Sequence, residues 1–166
     1  MILKGQVYKL PDNINTDLII SGRYKFAITD MRELAKHVFE DYDPKLVSRI
    51  IPGKSIIVAG ENFGMGSSRE QAPLAMKYAG IVGVVAKSFS RIFFRNAFNI
   101  GLPIIEADTA IFNDGDRMEI DLDKGILTDL ATKKNLQVKP LAPFMQTLLK
   151  DGGVVEHFKK HRGLNL

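Results

Sequence analysis

The spacing of apolar runs and glycines predicts an α/β fold: a β-α-β-α-β core with parallel strands, flanked by antiparallel strands. Three observations carry that expectation. "KSIIVAG" (54–60), "IVGVVAKS" (81–88) and "LPIIEA" (102–107) are short, continuous apolar runs, the pattern of strands buried on both faces. Between them lie "SREQAPLAMKYAG" (68–80) and "SRIFFRNAFNIG" (90–101), each patterned as a helix and closed by a glycine. From residue 111 the texture changes. "DRMEIDLDKGILTDLATKKNLQVKPL" alternates apolar and polar residues around a "DKG" turn, as an antiparallel meander does.

Taken in order, "QVYKL" (6–10) reads as a strand that ends in the turn-rich "PDNINTD". "DLII" (17–20) reads as a buried strand, and "SGRYKFAITD" (21–30) as a mobile loop on account of Gly22 and its polar flanks. "DMRELAKHVFED" (30–41) carries a helix-start signal, with Asp30 as N-cap and Glu33 as the capping-box acid. "PKLVSRI" is a second short helix running to Pro52-Gly53. Pro73 falls near the start of its helix, where a missing N–H costs least. "APFMQTLLKDGGVVEHFKKH" completes the chain as helix. No repeat or linker divides residues 1–166, which are expected to form one domain with a sizeable core.

Composition narrows the functional classes. The chain has no cysteine, which excludes disulfides, thiolate nucleophiles and any cluster or zinc site held by its own thiolates. A net charge of +4, without a dense basic stripe or a nucleic-acid-binding motif, favours anionic small molecules over nucleic acid. No run nears the ~20 apolar residues of a membrane helix, and the first residues lack a signal-peptide pattern. The expectation is a cytoplasmic protein without a membrane partner. His157 and His161 stand at i, i+4, but Lys159, Lys160 and Arg162 make a solvated basic tail the favoured reading over a metal site.

"GENFGMGSSRE" (60–70) concentrates the chemistry, at the carboxyl end of a central strand where α/β sheets bind ligands. It lacks the lysine of a phosphate-binding P-loop and the glycine spacing of a dinucleotide fingerprint. Ser67 with Glu70, or Ser68 with Gln71, could form a capping box. Capping explains one serine, but not the second serine, Arg69 and three glycines in seven residues. Glycines admit close approach of backbone to a ligand. A helix start offers free N–H groups and partial positive charge, and Arg69 a planar fork, all suited to a carboxylate. Asp17, in "NINTDLII", is set apart from the neighbouring asparagines, whose ordinary role is turn chemistry. "AKSFSRIFFRNAFNIGLP" (86–103) adds Ser88, Ser90, Arg91 and Arg95, with Ser90 as a helix cap.

Together, "GENFGMGSSREQAPLAMKYAGIVGVVAKSFSRIFFRNAFNIGLPII" and "NTDLII" resemble the small subunits of the 3-isopropylmalate dehydratases, which match the swivel domain of aconitase. The resemblance spans roughly residues 2–110. It implies a swivelling β/β/α three-layer domain and a hydro-lyase, active only with a separate large subunit that carries a [4Fe–4S] cluster. The chain itself would bind no cofactor and no metal. The implied reaction moves a hydroxyl between adjacent carbons of a malate-type dicarboxylic acid through an alkene, in leucine biosynthesis. The family's base is the first serine of its G-S-S-R run, which is Ser67; Ser68 and Arg69 would hold substrate carboxylate. Asp17 matches the acid of the family's T-D motif and would orient its neighbours.

One departure bears on the substrate. Aconitase grips a distal carboxylate with an arginine after the T-D motif, whereas this chain has Tyr24, Lys25, Phe26, Ala27 and Ile28 there. Phe26, Ala27 and Ile28 suit an isopropyl group, worth about 0.8 kcal/mol per buried CH₂, and Lys25 could serve a carboxylate. The expectation is isopropylmalate. The alternatives are a homoaconitase or 2,3-dimethylmalate dehydratase small subunit, or a non-catalytic anion-binding module.

Overall fold

The structure is a computed structural model describing residues 1–163, without the side chain of Lys25. Four parallel strands form its centre: β1 (Ile2–Lys9), β2 (Ser55–Ala59), β3 (Ile81–Ala86) and β4 (Ile104–Glu106). Three antiparallel strands continue the sheet: β5 (Arg117–Asp121), β6 (Ile126–Asp129) and β7 (Asn135–Gln137). The order is β4-β3-β2-β1-β5-β6-β7. β1 is thus the hinge between the two regimes, pairing parallel with β2 (Val7 opposite Ile56) and antiparallel with β5 (Leu3 opposite Ile120). All five residues of β2 are buried: the apolar run 56–59, and Ser55, whose hydroxyl is paired with the Ile51 backbone. Ile57 of β2 and Leu127 of β6 belong to one buried cluster, which fits a curled rather than flat sheet.

The crossovers hold the helices. Before β2 come α1 (Thr16–Ile19), α2 (Gly22–Ala27), α3 (Met31–Ala35) and α4 (Leu46–Arg49); α5 (Gln71–Tyr78) and α6 (Arg91–Asn99) follow β2 and β3. α7 (Pro143–Asp151) and α8 (Val154–His161) pack against α6 at the carboxyl end of the chain. Among the described residues no helix is long and apolar enough to cross a membrane.

The expected core is therefore present, and four local expectations are corrected. "DLII" forms a helical turn rather than a strand. Asn15 Oδ1 accepts from Leu18 N at 2.9 Å, so a side chain closes the turn that an apolar run alone would have extended. The segment 21–30, expected as a mobile loop, contains α2. The helix expected over 30–41 is α3 alone, followed by turns. Asp30 caps it, accepting from Arg32 N at 2.7 Å, but Glu33 pairs with Lys36 instead of closing the capping box. Phe39 then adopts φ 60°, sending its N–H to the Ile19 carbonyl, which stops the helix. The C-terminal helix is two helices, broken where Gly152 and Gly153 take φ 89° and 116°.

That break makes a clasp. Asp151, at the end of α7, accepts from Lys160 (2.5 Å), His157 Nδ1 (2.7 Å) and His161 Nε2 (2.9 Å) of α8. His157 is fully buried, so the reading of a solvated basic tail fails for it. The trio has ligand spacing for a metal. Lys160 already occupies the carboxylate, however, and His157 Nε2 has no partner to orient it as metal-bound imidazoles are oriented. Hydrogen bonds from Lys160 and then His157 hold the Asp151 carboxyl well below the usual carboxylate range. A lowered folded value stabilises above the unfolded pKa, about 3.9, and that contribution is lost as pH falls below it. Asp151→Asn is expected to lower Tm at pH 7 by about 5 °C and to flatten the loss of stability below pH 4. Thermal melts of both proteins between pH 2 and 7 check this.

Candidate active site

Three loops meet at the carboxyl ends of β1, β2 and β3: residues 10–17, 60–70 and 87–90. The middle loop is held from both sides. On one side, Gly64 N donates to Ile14 O (2.7 Å), Thr16 N to Met65 O (2.9 Å) and the Thr16 hydroxyl to Ser67 O (3.0 Å). On the other, Phe63 N donates to Ser88 O and Ser90 N to Phe63 O, each at 3.0 Å. Ser90 caps α6 as expected, accepting from Phe93 N (3.3 Å), and its hydroxyl also donates to Gly64 O (2.7 Å). Gly64 lies at φ 77° with Phe93 against its α-carbon, where a side chain would collide with the ring. That contact explains one of the three glycines physically.

The loop so held presents Ser67 and Ser68 to solvent. Neither caps α5: its N-cap position is Glu70, with no side-chain hydrogen bond, so the capping explanation of the serines does not hold. Among the described residues neither serine hydroxyl has a partner, and the N–H groups of residues 66–70 donate to no acceptor. A nucleophilic or basic oxygen thus stands beside several unengaged donors at the start of a helix, which is the local electrostatics that favours negative charge.

Arg69 Nη1 donates to Asp17 Oδ1 and to the Ile20 carbonyl (3.3 Å). Its side chain is mostly buried, and its remaining nitrogens have no partner among the described residues. The one buried side-chain nitrogen or oxygen without a partner among the described residues is His157 Nε2, so those Arg69 donors reach solvent. Asp17 therefore fixes the direction of the guanidinium. Gly22, the first residue of α2, sits beside this ion pair: a Cβ on it would lie 3.8 Å from Arg69 Nη2 and 3.9 Å from Asp17 Oδ1.

The other expected substrate contacts divide. Phe26 and Ala27 are exposed on α2. Tyr24 turns inward: its hydroxyl donates to Glu40 Oε1 (2.8 Å) and its ring stacks on His37 at 3.8 Å. The side chain of Lys25 lies outside the described residues. Arg91 and Arg95 are exposed on α6 with no acidic partner among the described residues. Sequence reasoning missed Thr16, whose one signal was a polar residue set between Ile14 and Ile19; it is 2% exposed. It also missed Glu40, for which no local signal exists.

Residues 44–109 match the family described as the aconitase C-terminal domain. A 3-isopropylmalate dehydratase small subunit of Thermodesulfovibrio yellowstonii is 54% identical over 96% of this chain and 95% of its own length. One from Archaeoglobus fulgidus is 48% identical over the whole of both chains. A methanogen homoaconitase small subunit from Methanothermobacter thermautotrophicus is also 48% identical, over 96% of this chain and 92% of its own. A crystal structure of 3-isopropylmalate dehydratase from Methanocaldococcus jannaschii superposes with a TM-score of 0.92 at 45% identity, covering 98% of this chain and 96% of that one.

Proposed function

Because the chain belongs to the family of 3-isopropylmalate dehydratase small subunits, we propose that it brings Ser67 as the base, and Arg69 as the carboxylate clamp, to a site completed by its large subunit. The observation that carries this reading is the exposed Ser67 hydroxyl, unpartnered among the described residues and set beside unengaged N–H groups. A serine hydroxyl is a weak acid. The N–H groups of Ser68 and Arg69, with the N-terminal field of α5, stabilise its alkoxide. Ser67 Oγ then takes the carbon-bound proton, exchanges it with solvent and delivers a proton on rehydration, as general base and acid in turn. Arg69, aimed by Asp17, holds a substrate carboxylate with Ser68. The [4Fe–4S] cluster, which a chain without cysteine leaves to the partner's residues, supplies the Lewis acid for the departing hydroxyl.

The substrate is 3-isopropylmalate and the setting leucine biosynthesis in the cytoplasm, with no call for nucleic acid or membrane. Phe26 and Ala27, exposed on α2, give an apolar surface for the isopropyl group. The homoaconitase relative makes a longer dicarboxylate the competing substrate. Alkene formation by the assembled, cluster-loaded enzyme under anaerobic conditions separates them. Turnover of 3-isopropylmalate at least about tenfold above homocitrate is expected, the difference of burying about two CH₂ groups. Preference for homocitrate would overturn the substrate and leave the base untouched.

A further inference from the structure

We propose that Glu40 is a positioning residue for substrate binding, because its carboxylate bridges Tyr24 and His37 and so tethers α2 beside Arg69. The inference rests on the reading that Arg69 and α2 border the substrate.

α2 has little to hold it by itself. It is six residues long, and its N-cap Ser21 makes no side-chain hydrogen bond. Helices of that length are unstable without tertiary support. Its support comes from the turns after α3. Glu40 Oε1 accepts from Tyr24 and Glu40 Oε2 faces His37 Nδ1 at 2.5 Å, while the Tyr24 and His37 rings stack within 18° of parallel. Arg23 adds an ion pair with Asp41 and lies over the Tyr24 ring. One carboxylate therefore closes a triangle whose other corners are the stacked rings.

The tether leads to the anion site. Tyr24 packs against a small cluster of Ile20, Leu34 and Ala75; the Ile20 carbonyl accepts from Arg69, and Ala75 lies on α5, the helix that follows Ser67–Arg69. Gly22 lies beside the Arg69–Asp17 pair, close enough that an added Cβ would be in van der Waals contact with both side chains. Release of Glu40 would loosen Tyr24, through which α2 packs beside the Ile20 carbonyl that Arg69 donates to. The hydrogen bonds from His37 and then Tyr24 also keep the Glu40 carboxyl below the usual carboxylate range, so the bridge is ionised at neutral pH.

A positioning role predicts loss of binding before loss of chemistry. Glu40→Ala, assembled with the large subunit, is expected to raise KM for 3-isopropylmalate about tenfold with kcat within about twofold of wild type. Glu40→Gln keeps an acceptor for Tyr24 and can donate to His37, so it should restore KM. Tyr24→Phe should fall between them. Thermal melts of each small subunit separate this from misfolding: the effect must appear in protein that still melts cooperatively at the assay temperature or above it. If Glu40→Ala retains wild-type KM, or if Glu40→Gln is as impaired as Glu40→Ala, the proposal is wrong. Ser67→Ala measured alongside keeps the two readings apart. An active Ser67→Ala enzyme overturns the site itself, whereas an inactive one with normal Glu40→Ala kinetics overturns the tether alone.

Discussion

Ser67→Ala, assembled with its large subunit, is expected to lose about 10²–10⁴-fold in kcat, the usual contribution of a positioned general base. The fold should not register the change. The Ser67 side chain is exposed and makes no hydrogen bond among the described residues, and substitutions at such sites stay within about 0.5 kcal/mol. The loop is held by backbone and by its neighbours' side chains: Thr16 grips the carbonyl of Ser67, and Ser90 that of Gly64. Substrate binding should change little, because Arg69 remains in place. A steady-state assay with a thermal melt of the isolated small subunit reads both quantities. Near-normal turnover in a folded variant would return Ser67 to the status of an ordinary surface residue.

Arg69→Lys should give the opposite split. Lysine keeps the charge but not the planar fork, so it cannot hold Asp17, the Ile20 carbonyl and a substrate carboxylate together. Losing a charged hydrogen bond of about 1.5–3 kcal/mol corresponds to a rise in KM of about 10–100-fold. Asp17→Asn should raise KM in the same direction but by less, since the amide oxygen still accepts from Arg69 while the charge is gone. If Arg69→Lys lowers kcat and leaves KM alone, Arg69 acts on the transition state and its role as a ground-state clamp is wrong.

The parts of the molecule that could be read from sequence are those in which local pattern and final environment agree. Residues 56–59 of β2 and 81–86 of β3 form unbroken non-polar runs because nearly every residue there is buried, and α5 and α6 end where Gly80 and Gly101 take positive φ. Ser90 was legible as a cap because capping is a property of four consecutive residues, here 90–93. Ser67, Ser68 and Arg69 stood out because capping accounts for one serine but not for a second with an arginine and three glycines, and Asp17 because it was set apart from the turn-forming asparagines. Three of the errors also involve contacts distant in sequence. "DLII" is as apolar as a strand, yet Thr16 must reach Ser67, fifty-one residues away, and the chain turns to allow it. α2 has no propensity signal because its partners, Glu40 and His37, belong to turns that follow another helix. The serines satisfy a capping-box spacing, but docking of 65–67 onto 14–16 moves the helix start to Gln71 and leaves both hydroxyls outside it.

The measurement that tests the central claim most directly is exchange of the substrate's carbon-bound proton with deuterated solvent, followed by NMR in the assembled enzyme. Wild-type small subunit should support exchange at a rate tied to turnover. Ser67→Ala should abolish exchange while the protein still binds substrate, and Arg69→Lys should restore wild-type exchange rates at saturating substrate. Undiminished exchange in Ser67→Ala would mean that another group removes the proton and that the donors around Ser67 serve binding alone.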